Sequence, residues 1–414
     1  MGEHRLQKRE LDVSSAVLFI VFLGIVSLFS DMTYEGGRSL VGQFLKILGA
    51  RAAAVGIAAG AGELFGYGIR LFSGLVSDRT GKYWTITILG YAVQLFALPA
   101  LAFVSRWEIA VVLMFIERMG KGIRTPSRDA MLSYATSKTG RGFGFGLHEA
   151  MDQIGAFLGP LVLSFILLFR NKAGTGRATG YSAAFMVLFI PAVLAIIVII
   201  IARSRFPNPR DLEGKTVKVE KRGFSSAYWW YLAAAALVAA GYADFPLIAF
   251  HLIRIELFQD SLIPTFYAMA MAVDALSALG FGRLYDRIGL LSLVLASGVS
   301  AIFAPFVYLG GSISVILGLA LWGVGLGAQE SIMRAAVADL IPEHRRGAAY
   351  GLFHTGYGIL WFLGSAAIGL LYEWHVFAVV GYSVLLQLCA IPLFLRAHTL
   401  RSNQARSSNT TESP

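Results

Sequence analysis

Twelve continuous apolar stretches constrain this chain more than any other feature: 14–38, 51–76, 84–104, 107–127, 143–169, 180–202, 227–251, 262–285, 290–309, 313–335, 347–371 and 376–396. A hydrocarbon layer about 30 Å thick takes about 20 residues of helix. A segment inside that layer must also satisfy its own backbone hydrogen bonds. A β-barrel is excluded, because its strands alternate apolar and polar residues in short segments. The chain is 56% hydrophobic and 14% charged over 414 residues, against about 25% charged in soluble domains, and no soluble core of this length hides so much apolar surface. The expected fold class is an all-α membrane protein of twelve transmembrane helices.

The formal charge of +10 does not point to nucleic acid. With twelve spans and the N-terminus inside, and cations at span ends counted with the adjoining loop, 24 of the 35 Lys and Arg fall on the inner side, 7 on the outer side, and 4 (Arg38, Arg70, Arg118, Lys121) within spans. That asymmetry is the positive-inside pattern, so both termini are expected to be cytoplasmic in a plasma or inner membrane. The segment before residue 14 mixes Arg5, Lys8 and Arg9 with three acids, and no small-residue cleavage site follows, so the first span is expected to remain as a helix. The single cysteine, Cys389, rules out an intrachain disulfide.

The longest internal polar stretch, 203–226, divides six spans from six. The domains are therefore expected to be a bundle over 14–202, a linker over 203–226, a bundle over 227–396 and a disordered tail over 397–414. The two halves repeat. Gly74-Leu-Val-Ser-Asp78-Arg79-Thr-Gly81-Lys82 is answered 208 residues later by Gly282-Arg-Leu-Tyr-Asp286-Arg287-Ile-Gly289. Gly142, Gly146-Leu147 and Phe157-Leu158-Gly159 are answered 205 residues later by Gly347, Gly351-Leu352 and Phe362-Leu363-Gly364. Such parallel repeats characterise one class of transporter.

The Gly-x-x-x-Asp-Arg-x-Gly pattern resembles the loop signature between the second and third helices of the major facilitator superfamily, and it occurs in both halves. Arg118-Met-Gly-Lys121-Gly122 resembles that superfamily's fourth-helix motif. Gly155-x-x-x-Gly159-Pro160 resembles the start of its antiporter motif, although Leu161-Val162-Leu163-Ser164 stands where a glycine pair is usual. The resemblance spans 14–396 and implies two pseudo-symmetric six-helix bundles and transport by alternating access. It also implies that Gly74, Asp78, Arg79, Gly81, Lys82, Gly282, Asp286, Arg287 and Gly289 form a latch between the halves. An aspartate at such a loop can accept hydrogen bonds from helix N-terminal amides opposite it.

Ionisable groups inside spans are costly and mark function. Asp31, Glu35 and Arg38 fall on one helical face, and Glu63 and Arg70 are seven apart. His148, Glu149 and Asp152 lie one turn apart; two carboxylates that close repel when ionised, so one can hold a proton at cellular pH. Asp31, Glu35, Glu149, Asp152 and His148 are the candidate proton-coupling residues, with Arg118 the partner that the resemblance implies for Asp31 or Glu35. Arg118, Lys121, Arg38, Glu330, Trp322 and Tyr357 are the candidate cavity residues. No phosphate-cradling Gly-x-x-x-x-Gly-Lys-Ser/Thr and no hydrolase or zinc-protease pattern occurs. The expectation is a monomeric, non-enzymatic secondary transporter without a cofactor or resident metal, exporting a small organic solute against protons. Organic-anion uptake, divalent-metal export through His148, Glu149, Asp152 and Asp31, and a non-transporting sensor are the alternatives.

Overall fold

The computed structural model describes residues 13–139, 141–172, 177–208, 224–341 and 346–411. The first half consists of α1 (Val13–Ile47), α2 (Ala52–Thr80), α3 (Tyr83–Ala100), α4 (Trp107–Thr139), α5 (Arg141–Lys172), α6 (Arg177–Val187) and α7 (Phe189–Arg205). The second consists of α8 (Ser226–Gly241), α9 (Phe245–Ile255), α10 (Ile263–Ile288), α11 (Leu291–Ala301), α12 (Phe303–Leu309), α13 (Ser312–Leu340), α14 (Arg346–Trp374) and α15 (Val376–Thr411). The pairs α6–α7, α8–α9 and α11–α12 are each one crossing interrupted by a break. Among the described residues eleven segments are long and apolar enough to cross a membrane. The twelfth crossing is the 33-residue α4, whose apolar run is broken by Glu117, Arg118, Lys121, Arg124, Arg128 and Asp129. Phe72, Leu276, Ile313 and Phe377 stand exposed on the outer surface, where lipid covers apolar side chains. This is a multi-pass membrane protein.

Glycines let the helices touch backbone to backbone, and they do so in the same way in both halves. A methyl group on Gly159 of α5 would lie 2.3 Å from the Met32 carbonyl oxygen of α1. A methyl on Gly364 of α14 would lie 2.1 Å from the Ala240 carbonyl oxygen of α8. Gly364 and Ala240 are the repeat counterparts of Gly159 and Met32, so the internal similarity in sequence is a shared packing contact. Gly36 and Gly37 do not end α1. Instead they admit Leu163 and Leu188 on one side and Leu98 on the other, and the helix runs on to Ile47, well past the residue-38 boundary read from hydropathy.

One end of the bundle carries the start of α1 and the end of α15. At the far end the two halves are sealed. Pro246 of α9 sits against Gly42 of α1, and Ser365 and Gly369 of α14 against Gly56 of α2. The Ala53 amide donates to Glu373 Oε1 at 3.0 Å, and Ser164 Oγ lies 2.6 Å from Thr265 Oγ1 across α5 and α10. The α2–α14 seam reaches the midpoint, where the Tyr67 and His354 rings stack at 5.9 Å between centroids. Closer to the termini, added methyl groups at Gly68, Gly280 and Gly282 would meet nothing within 4 Å. Among the described residues the halves are closed at the far end, and these three glycines at the termini end face no neighbour.

Residues 209–223 of the expected linker lie outside the described residues. The tail expected to be disordered from residue 397 is instead helical to Thr411. It is held by Arg401, whose guanidinium lies 3.2 Å from Asp339, and Asp339 also accepts from the Tyr285 hydroxyl at 2.9 Å.

Candidate functional site

Where the seam ends, a cavity of about 350 Å³ opens between the halves. The first half supplies Asp31, Tyr34, Glu35 and Arg38 from α1, Glu63, Tyr67 and Arg70 from α2, Lys121, Arg124, Arg128 and Asp129 from α4, and Asp152 from α5. The second half supplies Leu326, Gln329 and Glu330 from α13, and Phe353, His354, Tyr357 and Trp361 from α14. One wall is densely charged; the other is mainly aromatic and amide. A larger surface hollow of about 770 Å³, lined by Lys82, Trp84, Arg203 and Asn208, adjoins the part of the chain outside the described residues and brings no comparable set of buried charges together.

Much of the charge is paired. Arg118 lies 2.8 Å from Glu63 and 3.4 Å from Glu117, and donates to the Tyr34 hydroxyl. Arg128 lies 2.7 Å from Asp129. Arg38 crosses between the halves to Asp244, 2.6 Å away and 2% exposed. It is also 3.8 Å from Glu35, which accepts from the Tyr267 hydroxyl. Asp244 caps α9 through the Phe245 amide at 3.0 Å and receives Trp361 Nε1 at 3.5 Å. The half-to-half contact at the cavity's far end is thus an ion pair set in hydrogen bonds.

Three cations stand apart from these pairs. Lys121 Nζ sits 3.9 Å from the Tyr34 ring centroid. Arg124 donates to Tyr91 at 3.2 Å and to Gln94, both neutral. Arg70 lies over the Tyr67 ring at 4.7 Å with its Nε buried and without a hydrogen-bond partner. Among the described residues none of the three has a carboxylate at salt-bridge distance. Asp31 and Asp152 likewise have no Lys or Arg at that distance, and Asp152 Oδ1 is buried without a hydrogen-bond partner. Buried polar groups are ordinarily satisfied, so the Asp152 carboxyl is set up for something other than packing.

The structure therefore gathers Asp31, Glu35, Asp152, Lys121, Arg38, Glu330 and Tyr357 around one cavity. It does not gather the others. Trp322 is 0% exposed and donates to the Ala243 carbonyl at 2.9 Å, because the α8–α9 break frees that carbonyl. Arg118 lies behind the wall, committed to Glu63 and Glu117. His148 is buried against α1, with Nε2 3.0 Å from Ser27 Oγ, and Glu149 is exposed on α5 outside the lining. Among the described residues no three His, Cys, Asp or Glu converge as a metal-holding group, so the ligand set imagined for divalent-metal export is not assembled. Glu63 pairs across to Arg118 rather than with Arg70.

At the termini end, Gly81 ends α2 and Gly289 ends α10, with φ of +67° and +58°. Their amides donate to Ser77 and Tyr285 at 2.8 and 2.7 Å. Arg79, Lys82, Asp286 and Arg287 are exposed. Among the described residues their side chains make no ion pair. Gly74 faces Pro126 of its own half, and Gly282 faces open space. The side chain of Asp78 lies outside the described residues.

Sequence reasoning passed over Asp244, Arg70, Arg124 and Tyr34 as site residues. Asp244 carries a usable signal: Asp-Phe-Pro inside an apolar run marks a helix restart, with an acid capping it and proline in its first turn.

Comparison with known proteins completes the description. The family model of the Major Facilitator Superfamily matches residues 14–365 and 261–410. An uncharacterized protein of Mycobacterium tuberculosis is 36% identical over 383 residues, 91% of this chain and 92% of that one. An uncharacterized MFS-type transporter of Methanocaldococcus jannaschii is 27% identical over 385 residues, 90% and 93% of the two chains. Among solved structures, the nucleoside transporter NupG superposes with a TM-score of 0.68 at 13% identity, covering 92% of this chain and 98% of its own. A bacterial homologue of the human lysosomal transporter Spinster, in an inward-facing and unoccupied conformation, gives 0.69 at 13% identity over 94% and 96%. At these identities the structural likeness speaks for the fold alone.

Proposed function

The chain belongs to the major facilitator superfamily, and on that premise we propose that it is a proton-coupled secondary transporter of a small organic solute, working by alternating access. The observation that carries the reading is the pair Asp31 and Asp152. Both are carboxyls on the wall of the central cavity without a cation at salt-bridge distance among the described residues, so both are able to gain and lose a proton as the cavity changes sides. The aromatic wall of Phe353, Tyr357 and Trp361 suits an organic body.

In this reading the charge asymmetry of the loops puts the termini in the cytoplasm, so the termini end faces inward and the exposed Arg79, Lys82, Asp286 and Arg287 are a released latch. The transport path lies within one chain, and a monomer suffices. Gly155 and Gly159, which suggested an antiporter, serve here to pack α5 on Leu28 and Met32 of α1. The direction of transport is then set by the sign of the coupling between solute and proton. The test is flux in proteoliposomes with and without an imposed pH gradient. Solute accumulation that follows the gradient supports the reading, and transport indifferent to it removes proton coupling.

A further inference from the structure

The charges left over around the cavity fall into two unlike kinds. Arg70, Lys121 and Arg124 lack a carboxylate at salt-bridge distance, and two of these three are arginines, which keep their charge at any cellular pH. Asp31 and Asp152 are carboxyls, and carboxyls can be neutralised by a proton. The permanent charge on this wall is therefore positive, and the switchable charge is negative. As protons enter, the charge around the cavity shifts in the positive direction, and the cations left without a carboxylate come to dominate their side of it.

We infer that the solute is an organic anion, and that anion and proton bind together, which makes the protein a symporter. This rests on the transport reading above. An anion that settles on Lys121, Arg70 and Arg124 draws on the same cations that line the cavity beside Asp31 and Asp152. With their field taken up by the anion, protonation of the carboxyls becomes more favourable. By linkage, protonation in turn tightens anion binding by the same factor. A cationic solute would meet three repelling cations on this wall. The opposite wall of Leu326, Phe353, Tyr357 and Trp361 receives the apolar or aromatic body.

The other charged and titratable groups around these carboxyls do not alter the direction of that shift. Glu35 on α1 and Asp244 before α9 share Arg38, Glu63 on α2 and Glu117 on α4 share Arg118, and Asp129 on α4 is held by Arg128. On α5, His148 is engaged with Ser27 and Glu149 stands outside the lining. Asp274 on α10 lies behind the cavity wall, packed against Gly327. Across the cavity, Glu330 on α13 would orient an anion towards the basic wall, and His354 on α14 is stacked on Tyr67. With inward proton entry this arrangement favours uptake, in place of the export expected from the fifth-span motif.

The experiment measures binding of benzenesulfonate, an aromatic anion whose charge does not change with pH, to the full-length protein in nanodiscs from pH 6 to 8. Benzylamine serves as the cationic counterpart. Wild type should bind the anion more weakly as pH rises, by up to about tenfold per pH unit for each proton taken up. The double variant Asp31→Asn with Asp152→Asn should bind it at pH 8 at least as tightly as wild type does at pH 6, without pH dependence. Lys121→Gln should weaken binding at least tenfold at every pH. Preference for benzylamine, a flat pH profile in wild type, or no anion binding even in the double variant overturns the inference. Gradient-driven flux of benzylamine would leave the transport reading standing while removing this one. Intact pH-linked anion binding without any gradient-driven flux would do the reverse.

Discussion

Replacing Gly42 with alanine tests how the halves are held apart and together. The added methyl would lie 1.9 Å from the Pro246 carbonyl oxygen and 2.8 Å from its Cα, both backbone atoms of the other half. An ordinary carbon–oxygen contact is about 3.3 Å, so α1 and α9 must separate by about 1.4 Å at this point. Overpacking of this kind costs about 1–3 kcal/mol, and about 2 kcal/mol corresponds to about 30-fold in an equilibrium constant. The clash exists only while the far end is closed, so the cost falls on this conformation and shifts the population towards the alternative. The readout is the rate at which an impermeant maleimide labels a single cysteine placed at Val41, which is 4% exposed, after Cys389→Ser removes the native thiol. Gly42→Ala should raise that rate about 30-fold. Gly364→Ala supplies the control, because its 2.1 Å clash with the Ala240 carbonyl oxygen lies within one half and burdens both conformations alike. It should lower thermal stability without changing the labelling rate. Equal labelling in the two variants would refute the idea that the Gly42–Pro246 contact is a moving seam.

Three further outcomes are expected. Arg38→Ala leaves Asp244 buried without its cation and should cost about 3–5 kcal/mol of stability in a thermal or chemical denaturation assay, whereas Arg38→Met combined with Asp244→Leu should recover most of it. Asp78→Asn together with Asp286→Asn should slow transport severely while leaving solute affinity within a few-fold, because a latch biases a conformational balance rather than a contact; unchanged flux would remove the latch. Reporters fused after Pro414 and inserted at Glu213 should read cytoplasmic and one at Gly310 external, and an external Glu213 would end the twelve-crossing account.

The fold was legible because twelve apolar blocks and two spaced repeats survive any local ambiguity. Gly159 and Gly364 even occupy equivalent contacts. What periodicity does not reveal is which face of a helix meets which neighbour. Glu63 and Arg70 stand seven residues apart on one helix, yet Glu63 reaches Arg118 on α4 and Arg70 faces the cavity. Trp322 is a candidate cavity aromatic by sequence, but the break between α8 and α9 gives its indole the Ala243 carbonyl to bond, and it lies in the core. Asp31 and Asp152 were found because their cost at membrane depth shows in the sequence. Their separation from Lys and Arg depends on how four helices pack, which no single stretch encodes.

The central claim is that Asp31 and Asp152 carry the coupling protons, and flux in proteoliposomes tests it most directly. Wild type should accumulate solute along an imposed pH gradient and should also exchange solute for solute. With both residues changed to asparagine, exchange should persist within a few-fold, since it does not require the empty carrier to return with a changed proton load, and the response to the gradient should vanish. Accumulation that still follows the pH gradient in the double variant would contradict the account.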